Sequence, residues 1–264
     1  MKKYFYLFQI QYLGFRYHGW QKQPGVKTIE SMLEKTARFV LEQAEFKILG
    51  ASRTDAMVSA GHAAFELFVD RKFDTGFLLT AFNLNLPNDI RVIKVESVDE
   101  RFNIIQAPVL KEYVYRFSHG HKAHPFCAGL LYSFQENLDI DAMKNGARLF
   151  EGTHNYRQYC TQPTPGAVSD RTIDTSRIEE NKDVTGDFFP CPTFCYRVIS
   201  KGFMRNQVRL MMGQLLRLGR GEIRLDDIRH SLTGKDNTPL PVIAPASGLV
   251  LNRMEFDRPV QQSG

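Results

Sequence analysis

The chain has 264 residues, of which 43% are hydrophobic and 24% charged, with a formal net charge of +5. That composition is ordinary for a folded globular protein and excludes collagen-like, low-complexity and disulfide-stapled chains. No run of about 18 apolar residues occurs, so no membrane-spanning helix is expected. Tyr4 to Ile10 reads as an aromatic and aliphatic strand. Thr28 can cap a helix whose apolar residues Ile29, Leu33, Ala37 and Val40 recur at helical spacing. Phe46–Ala51 and His62–Val69 read as strands, Asp74 to Phe82 as a helix, and Ile90–Val98 as a further strand. The order is β-α-β-β-α-β, that of a ferredoxin-like unit.

The second half repeats that order. Lys111–Ser118 alternates as a strand, and Ile140–Phe150 carries Ala142, Met143, Ala147 and Phe150 near one helical face. Thr172–Ile178 and Phe194–Ile199 are strand candidates. The longest amphipathic helix follows, with Val208, Met211, Met212, Leu215 and Leu216 as its stripe and Gly219 and Gly221 to stop it. Gly248–Phe256 is the closing strand, and Gln162-Pro163-Thr164-Pro165-Gly166 reads as a loop. The fold class expected is α+β, with two ferredoxin-like domains dividing near Phe102–Val109. The domains are placed at residues 1–105 and 106–264.

Several segments carry groups with chemistry. In Ala51-Ser52-Arg53-Thr54-Asp55-Ala56 a carboxylate follows an arginine at the end of an apolar strand. Strand ends are where scaffolds present reactive groups, although a loop Asp is more often a turn former. Arg209 lies beside the apolar stripe of the long helix, where a guanidinium either meets an anion or snorkels to water. From Arg197 to Arg224 there are seven basic residues and one acid, Glu222. Arg197, Lys201, Arg205, Arg209, Arg217, Arg220 and Arg224 form either a phosphate-binding run or a solvated face. Tyr113 and Tyr115 share one face of a strand beside Lys111, as half-core residues or as a stacking surface. The loop Gly14–Lys22 holds the single tryptophan, Trp20, as a packing corner or an RNA-facing element. His119, His121 and His124 read as surface groups rather than metal ligands. Met1–Tyr6 has no signal-peptide core, so a cytoplasmic location is expected, with Cys127, Cys160, Cys191 and Cys195 as free thiols. No phosphate loop, HExxH pair or nucleophile elbow is present, and neither cofactor nor metal is expected.

Taken in order, these segments resemble the TruA-type tRNA pseudouridine synthases over nearly the whole chain. Tyr12-Leu13-Gly14 and His18-Gly19-Trp20-Gln21-Lys22-Gln23-Pro24 match the family's opening motif. Arg53-Thr54-Asp55 matches its RTD signature, and Lys111-Glu112-Tyr113-Val114-Tyr115 its tyrosine motif. Phe150-Glu151-Gly152-Thr153-His154 and Arg171-Thr172-Ile173 fit its middle segments. Val208-Arg209 with Gly213, Leu216, Gly219, Arg220 and Gly221 fits its helix motif, and Ala244-Pro245-Ala246 with Gly248-Leu249 its C-terminal signature. The chain departs from the pattern at Ser52 and Met57, where the family has glycines, and at Ser59, where it has histidine. Ile105 and Asn237 stand where the family usually carries arginine.

The resemblance implies isomerisation of uridine to pseudouridine in the tRNA anticodon stem-loop, without cofactor or metal. It implies Asp55 as nucleophile at C6 of uracil or C1′ of ribose, Arg209 as the cation that keeps it charged, and Tyr113 against the uracil, with Tyr115 behind it as candidate. Arg53 would enter the helix as the target base leaves. Trp20, Gln21, Lys22, Arg205 and Arg220 would complete the RNA contacts. A homodimer is implied, as are two domains whose antiparallel sheets join into one. The alternatives are an RNA-binding or RNA-chaperone paralog that has lost turnover, or a synthase with another RNA target.

Overall fold

A computed structural model describes residues 3–257, apart from 164, 165, 167, 183, 185 and 237. Thr164 and Pro165 of the expected loop, and Asn237, therefore lie outside the described residues. Two compact units emerge: Met1–Val109 with Leu251–Gly264, and Leu110–Val250. This division falls a few residues after the one read from the sequence, and the chain from Leu251 groups with the first unit.

The first unit contains strand β1 (Tyr4–Tyr12), helix α1 (Ile29–Leu41), strands β2 (Phe46–Gly50) and β3 (Ser59–Val69), helix α2 (Thr75–Asn85) and strand β4 (Ile90–Val98). β1 runs antiparallel to both β3 and β4, and β2 runs antiparallel to β3. The strand order β4-β1-β3-β2 follows. Thr28 caps α1 by accepting from the Ser31 N–H, and Asp74 caps α2 by accepting from the Phe77 N–H. α2 runs three residues beyond the expected Phe82, because its last turn still bonds Leu86 N–H to the Phe82 carbonyl. β3 starts three residues before the expected His62. Its residues Ala63 to Leu67 are all buried, so both faces are covered and no in–out alternation marks it.

That double burial traps a carboxyl. Glu66 on β3, opposite Leu7 of β1 and Leu49 of β2, is 1% exposed. Its Oε1 has no hydrogen-bond partner among the described residues, and the Ile104 backbone bonds the group. Burial pushes its pKa up to about 7, against an opposing backbone bond from Ile104. Because the folded value lies above the unfolded one, the native state binds the extra proton. Stability therefore falls as pH rises from about 4.5 to 7 and stays lower above that. Glu66→Gln, which is neutral throughout, is expected to melt with the parent at pH 5 and about 5 °C above it at pH 8. Calorimetric melts at both pH values measure this, and a gap of equal size at both would sink it.

The second unit contains strands β5 (Pro108–His119, the unit taking it from Leu110) and β6 (Tyr132–Phe134), helix α3 (Ile140–Arg148), strands β7 (Gly152–Asn155), β8 (Asp170–Ile173), β9 (Thr175–Glu180) and β10 (Phe194–Ser200), and helices α4 (Gln207–Gly219) and α5 (Leu225–Ser231). β10 lies antiparallel between β5 and β9, and β6 runs parallel to the end of β5. The single strand expected over Thr172–Ile178 is a correction. The chain breaks at Asp174, so that β8 pairs with β7 in a small second sheet while β9 joins β10. β6, β7 and α5 are too short to show a period and were not expected from the sequence. The closing strand β11 (Leu249–Phe256) pairs with β3, and His62 Nδ1 lies 3.1 Å from the Asn252 carbonyl. The fold is a mixed sheet with five helices among the described residues, which places it in the α+β class. No described helix is long and apolar enough to cross a membrane, and all four cysteines are free.

Candidate active site

In the first unit the loop after β2 is built by backbone packing. Gly50 ends β2, and a Cβ there would stand 2.4 Å from the Trp20 ring, so only glycine leaves room for the indole. Trp20 is 2% exposed. This corrects its assignment as an RNA contact, and the packing-corner reading holds for it. The Trp20 N–H donates to the Thr54 carbonyl at 3.0 Å, and the Tyr12 hydroxyl meets Thr54 Oγ1 at 2.8 Å. Gly19 has φ +87°, and any Cβ would lie 2.7 Å from the Thr54 carbonyl oxygen, so it too must be glycine. Met57 N–H reaches the Tyr17 carbonyl at 3.0 Å, and Gly14 N–H reaches Ser59 Oγ at 2.9 Å. The Gly14–Trp20 segment is thus a buttress that fixes Thr54 through its carbonyl, while Tyr12 at the end of β1 holds its side chain. Arg16 and Tyr17 anchor the buttress to Asp89, at 2.9 and 2.6 Å. Burial works to raise the Asp89 pKa, but the hydrogen bonds from Tyr17 and Arg16 outweigh it and hold the carboxyl below its usual range.

Held this way, Thr54 is buried, Asp55 half-buried and Arg53 exposed. Arg53 forms no ion pair among the described residues. Gln21 and Lys22 are exposed at the end of the buttress. Lys22 donates its backbone N–H to Glu30 at 2.7 Å and pairs its ammonium with Glu34.

In the second unit β5 carries Tyr113 and Tyr115. Tyr113 is 8% exposed and meets Phe203 edge-to-face at 5.2 Å. Tyr115 is fully buried, and its hydroxyl has no hydrogen-bond partner among the described residues. Burial pushes its phenol well above the usual range, with the Arg209 charge opposing. Both tyrosines are buried, Tyr115 completely, while Tyr113 keeps a small part of its surface exposed. Lys111, on the same strand, has its pKa lowered by burial.

Arg209 is half-buried on α4. Its Nε donates to the Ala244 carbonyl at 2.8 Å and its Nη1 to Asn206 Oδ1 at 3.2 Å, while Ala244 N–H returns a bond to the Arg209 carbonyl at 3.1 Å. The helix and the 242–244 segment touch backbone to backbone, since a Cβ on Gly213 would lie 2.1 Å from the Val242 carbonyl. Asn206 precedes α4 with φ +60°. It was missed from the sequence, although Asn is among the few residues that adopt this conformation readily.

The basic segment does not act as one surface. Arg197 is half-buried, donating to Glu179 at 2.7 Å and pairing closely with Glu112. Its place in a phosphate-binding run is corrected accordingly. Arg217 faces Glu222 at 3.3 Å. Arg220 is exposed but pairs with Glu136 at 2.8 Å and approaches Glu222 at 3.7 Å. Arg205 is exposed and donates to the neutral Gln162 side chain at 2.8 Å.

Comparison with known proteins addresses the family. The profile described as tRNA pseudouridine synthase matches residues 147–257. The tRNA pseudouridine synthase A of Staphylococcus aureus (strain MRSA252) is 31% identical over 251 residues, covering 95% of this chain and 91% of that protein. The chain belongs to the tRNA pseudouridine synthase A family. As a member it is an isomerase of the pseudouridine-synthase class. The family's enzymes from Clostridium kluyveri and from Geobacillus sp. (strain WCH70) are each 30% identical, over 250 and 254 residues. Both alignments cover 94% of this chain, and 97% and 96% of those proteins. The Arg53-Thr54-Asp55 segment, read from the sequence as a family signature, is the one whose Thr54 carbonyl the Gly14–Trp20 buttress holds.

Proposed function

We propose that the protein isomerises uridines of the tRNA anticodon stem-loop to pseudouridine, with Asp55 as its nucleophile. The observation that carries the reading is the placement of Asp55, half-buried directly after a Thr54 held by Tyr12 and Trp20, in a member of this family. The reaction breaks the N1–C1′ bond, turns the uracil and closes a C5–C1′ bond. C5 gives up its proton to solvent, N1 takes one up, and the bond formed by Asp55 breaks again, so the product is an isomer of the substrate. Asp55 attacks C6 of uracil or C1′ of ribose as the ionised carboxylate. Tyr113, the less enclosed of the two tyrosines on β5, lies against the uracil. Arg209, its fork oriented by Ala244 and Asn206, supplies the positive charge that keeps Asp55 ionised.

Arg53, Gln21, Lys22, Arg205 and Arg220 are proposed to hold the RNA, all five being exposed. We read the protein as a cytoplasmic homodimer, and each unit as ferredoxin-like. The β4-β1-β3-β2 order and two helices of the first unit support the fold reading. Incubating the protein with unmodified tRNA and mapping pseudouridines tests the function. Product confined to ribosomal RNA, or absent while tRNA still binds, would favour the alternative targets or the RNA-binding paralog.

Salt dependence tests the RNA contacts. Each neutralised phosphate contributes a slope of about −0.7 to −0.9 in log K against log salt. Arg205 has no carboxylate to give up, so Arg205→Gln is expected to flatten the slope by about one unit and weaken all tRNAs alike. Arg220→Gln is expected to do less, because Glu136 already offsets its charge. An unchanged slope in Arg205→Gln would remove that residue from the interface.

A further inference from the structure

We propose that Met57 is a specificity-determining residue, an apolar wedge whose thioether packs against the nucleotide beside the target uridine. The inference rests on the functional reading above. Asp55 to Val58 is a four-residue turn, closed by Val58 N–H bonding the Asp55 carbonyl at 3.2 Å. Met57 is its third residue, with φ +67°. A left-handed third position calls for Gly or Asn, because an ordinary side chain is strained there. The conformation is imposed from outside the turn: Met57 N–H is bonded to the Tyr17 carbonyl in the buttress. A strained residue persists where its surroundings over-determine it, and such residues gather at functional sites.

Met57 is also 37% exposed, an unusual place for a large apolar side chain that adds little to a core. Its neighbour Ser59 behaves differently, being buried and bonded to Gly14, so it is a packing pin. The catalytic segment therefore offers an exposed cation, Arg53, two residues before Asp55 and an exposed thioether two residues after it. A flipped-out nucleotide leaves its neighbours with unstacked faces. Methionine is among the side chains that wedge beside such bases, and its flexible, polarizable chain adapts to any base face. It carries no charge for phosphate, so the partner it fits is a base.

Glycine at this position removes the side chain and the strain together. Met57→Gly is expected to melt about 2–4 °C above the parent. It should nevertheless lose about tenfold in kcat/KM on a tRNA transcript. Met57→Leu is expected to recover most of the loss, and Met57→Ala little of it. A transcript with 2-aminopurine next to the modified uridine adds a readout apart from turnover: its fluorescence change on binding should shrink with the Gly variant. A Gly variant that melts higher and matches the parent in kcat/KM overturns the inference while the functional reading stands. A parent that isomerises no tRNA uridine overturns both.

Discussion

Asp55→Asn is expected to abolish isomerisation, by at least about 10⁴-fold, while tRNA affinity stays within about twofold of the parent. The amide is the size of the carboxylate but cannot act as the nucleophile. The loop should keep its shape, because it is anchored through Thr54 and through the backbone. Trp20 N–H holds the Thr54 carbonyl, Tyr12 holds its hydroxyl, and the Asp55 carbonyl closes the turn to Val58. The exposed residues proposed to hold RNA are untouched. Tritium release from C5-labelled tRNA measures the chemistry, and a mobility shift measures the binding. Substantial release by the Asn variant would take Asp55 out of the mechanism.

Arg209→Lys is expected to lower kcat about 100-fold with little change in KM. Lysine keeps the charge but replaces a planar fork of donors with a single rotating ammonium. In this protein bonds to the Ala244 carbonyl and to Asn206 help to orient the fork, and a lysine cannot reproduce both with the same geometry. The variant should still fold, with a melting temperature lowered by only about 2–4 °C. The α4 helix is held mainly by its buried apolar residues, and one lost hydrogen bond costs about 1 kcal/mol. A Lys variant with parental kcat would make Arg209 a structural residue of the α4 end.

The sequence was legible wherever a signal is local. Ile90–Val98 is a strand over the expected residues, Thr28 caps the helix it was read to cap, and the helix read from Asp74 starts one residue later with Asp74 as its cap. Capping and periodicity depend on neighbours within a turn or two, so the chain carries them directly. The candidate site was legible in part for the same reason. Arg53-Thr54-Asp55 and Val208-Arg209 are contiguous strings, and the family that they indicate is the family to which the chain belongs.

What lay beyond the sequence depends on which distant segments meet. Trp20 could be a packing corner or an RNA contact until Gly50, thirty residues on, was seen to leave room for its ring. Arg197 looked like one of seven phosphate ligands until β5 and β9 brought Glu112 and Glu179 to it from either side. Tyr113 and Tyr115 are equivalent by alternation, yet one keeps a small part of its surface exposed and the other has an enclosed hydroxyl. Glu66 follows an apolar run and reveals nothing of its raised pKa until β1 and β2 enclose it. In each case the outcome is set by sheet register and backbone packing between segments far apart in the chain. A residue's own neighbours in sequence say which element it enters, whereas its burial and its charge partner are properties of the surface against which that element is laid.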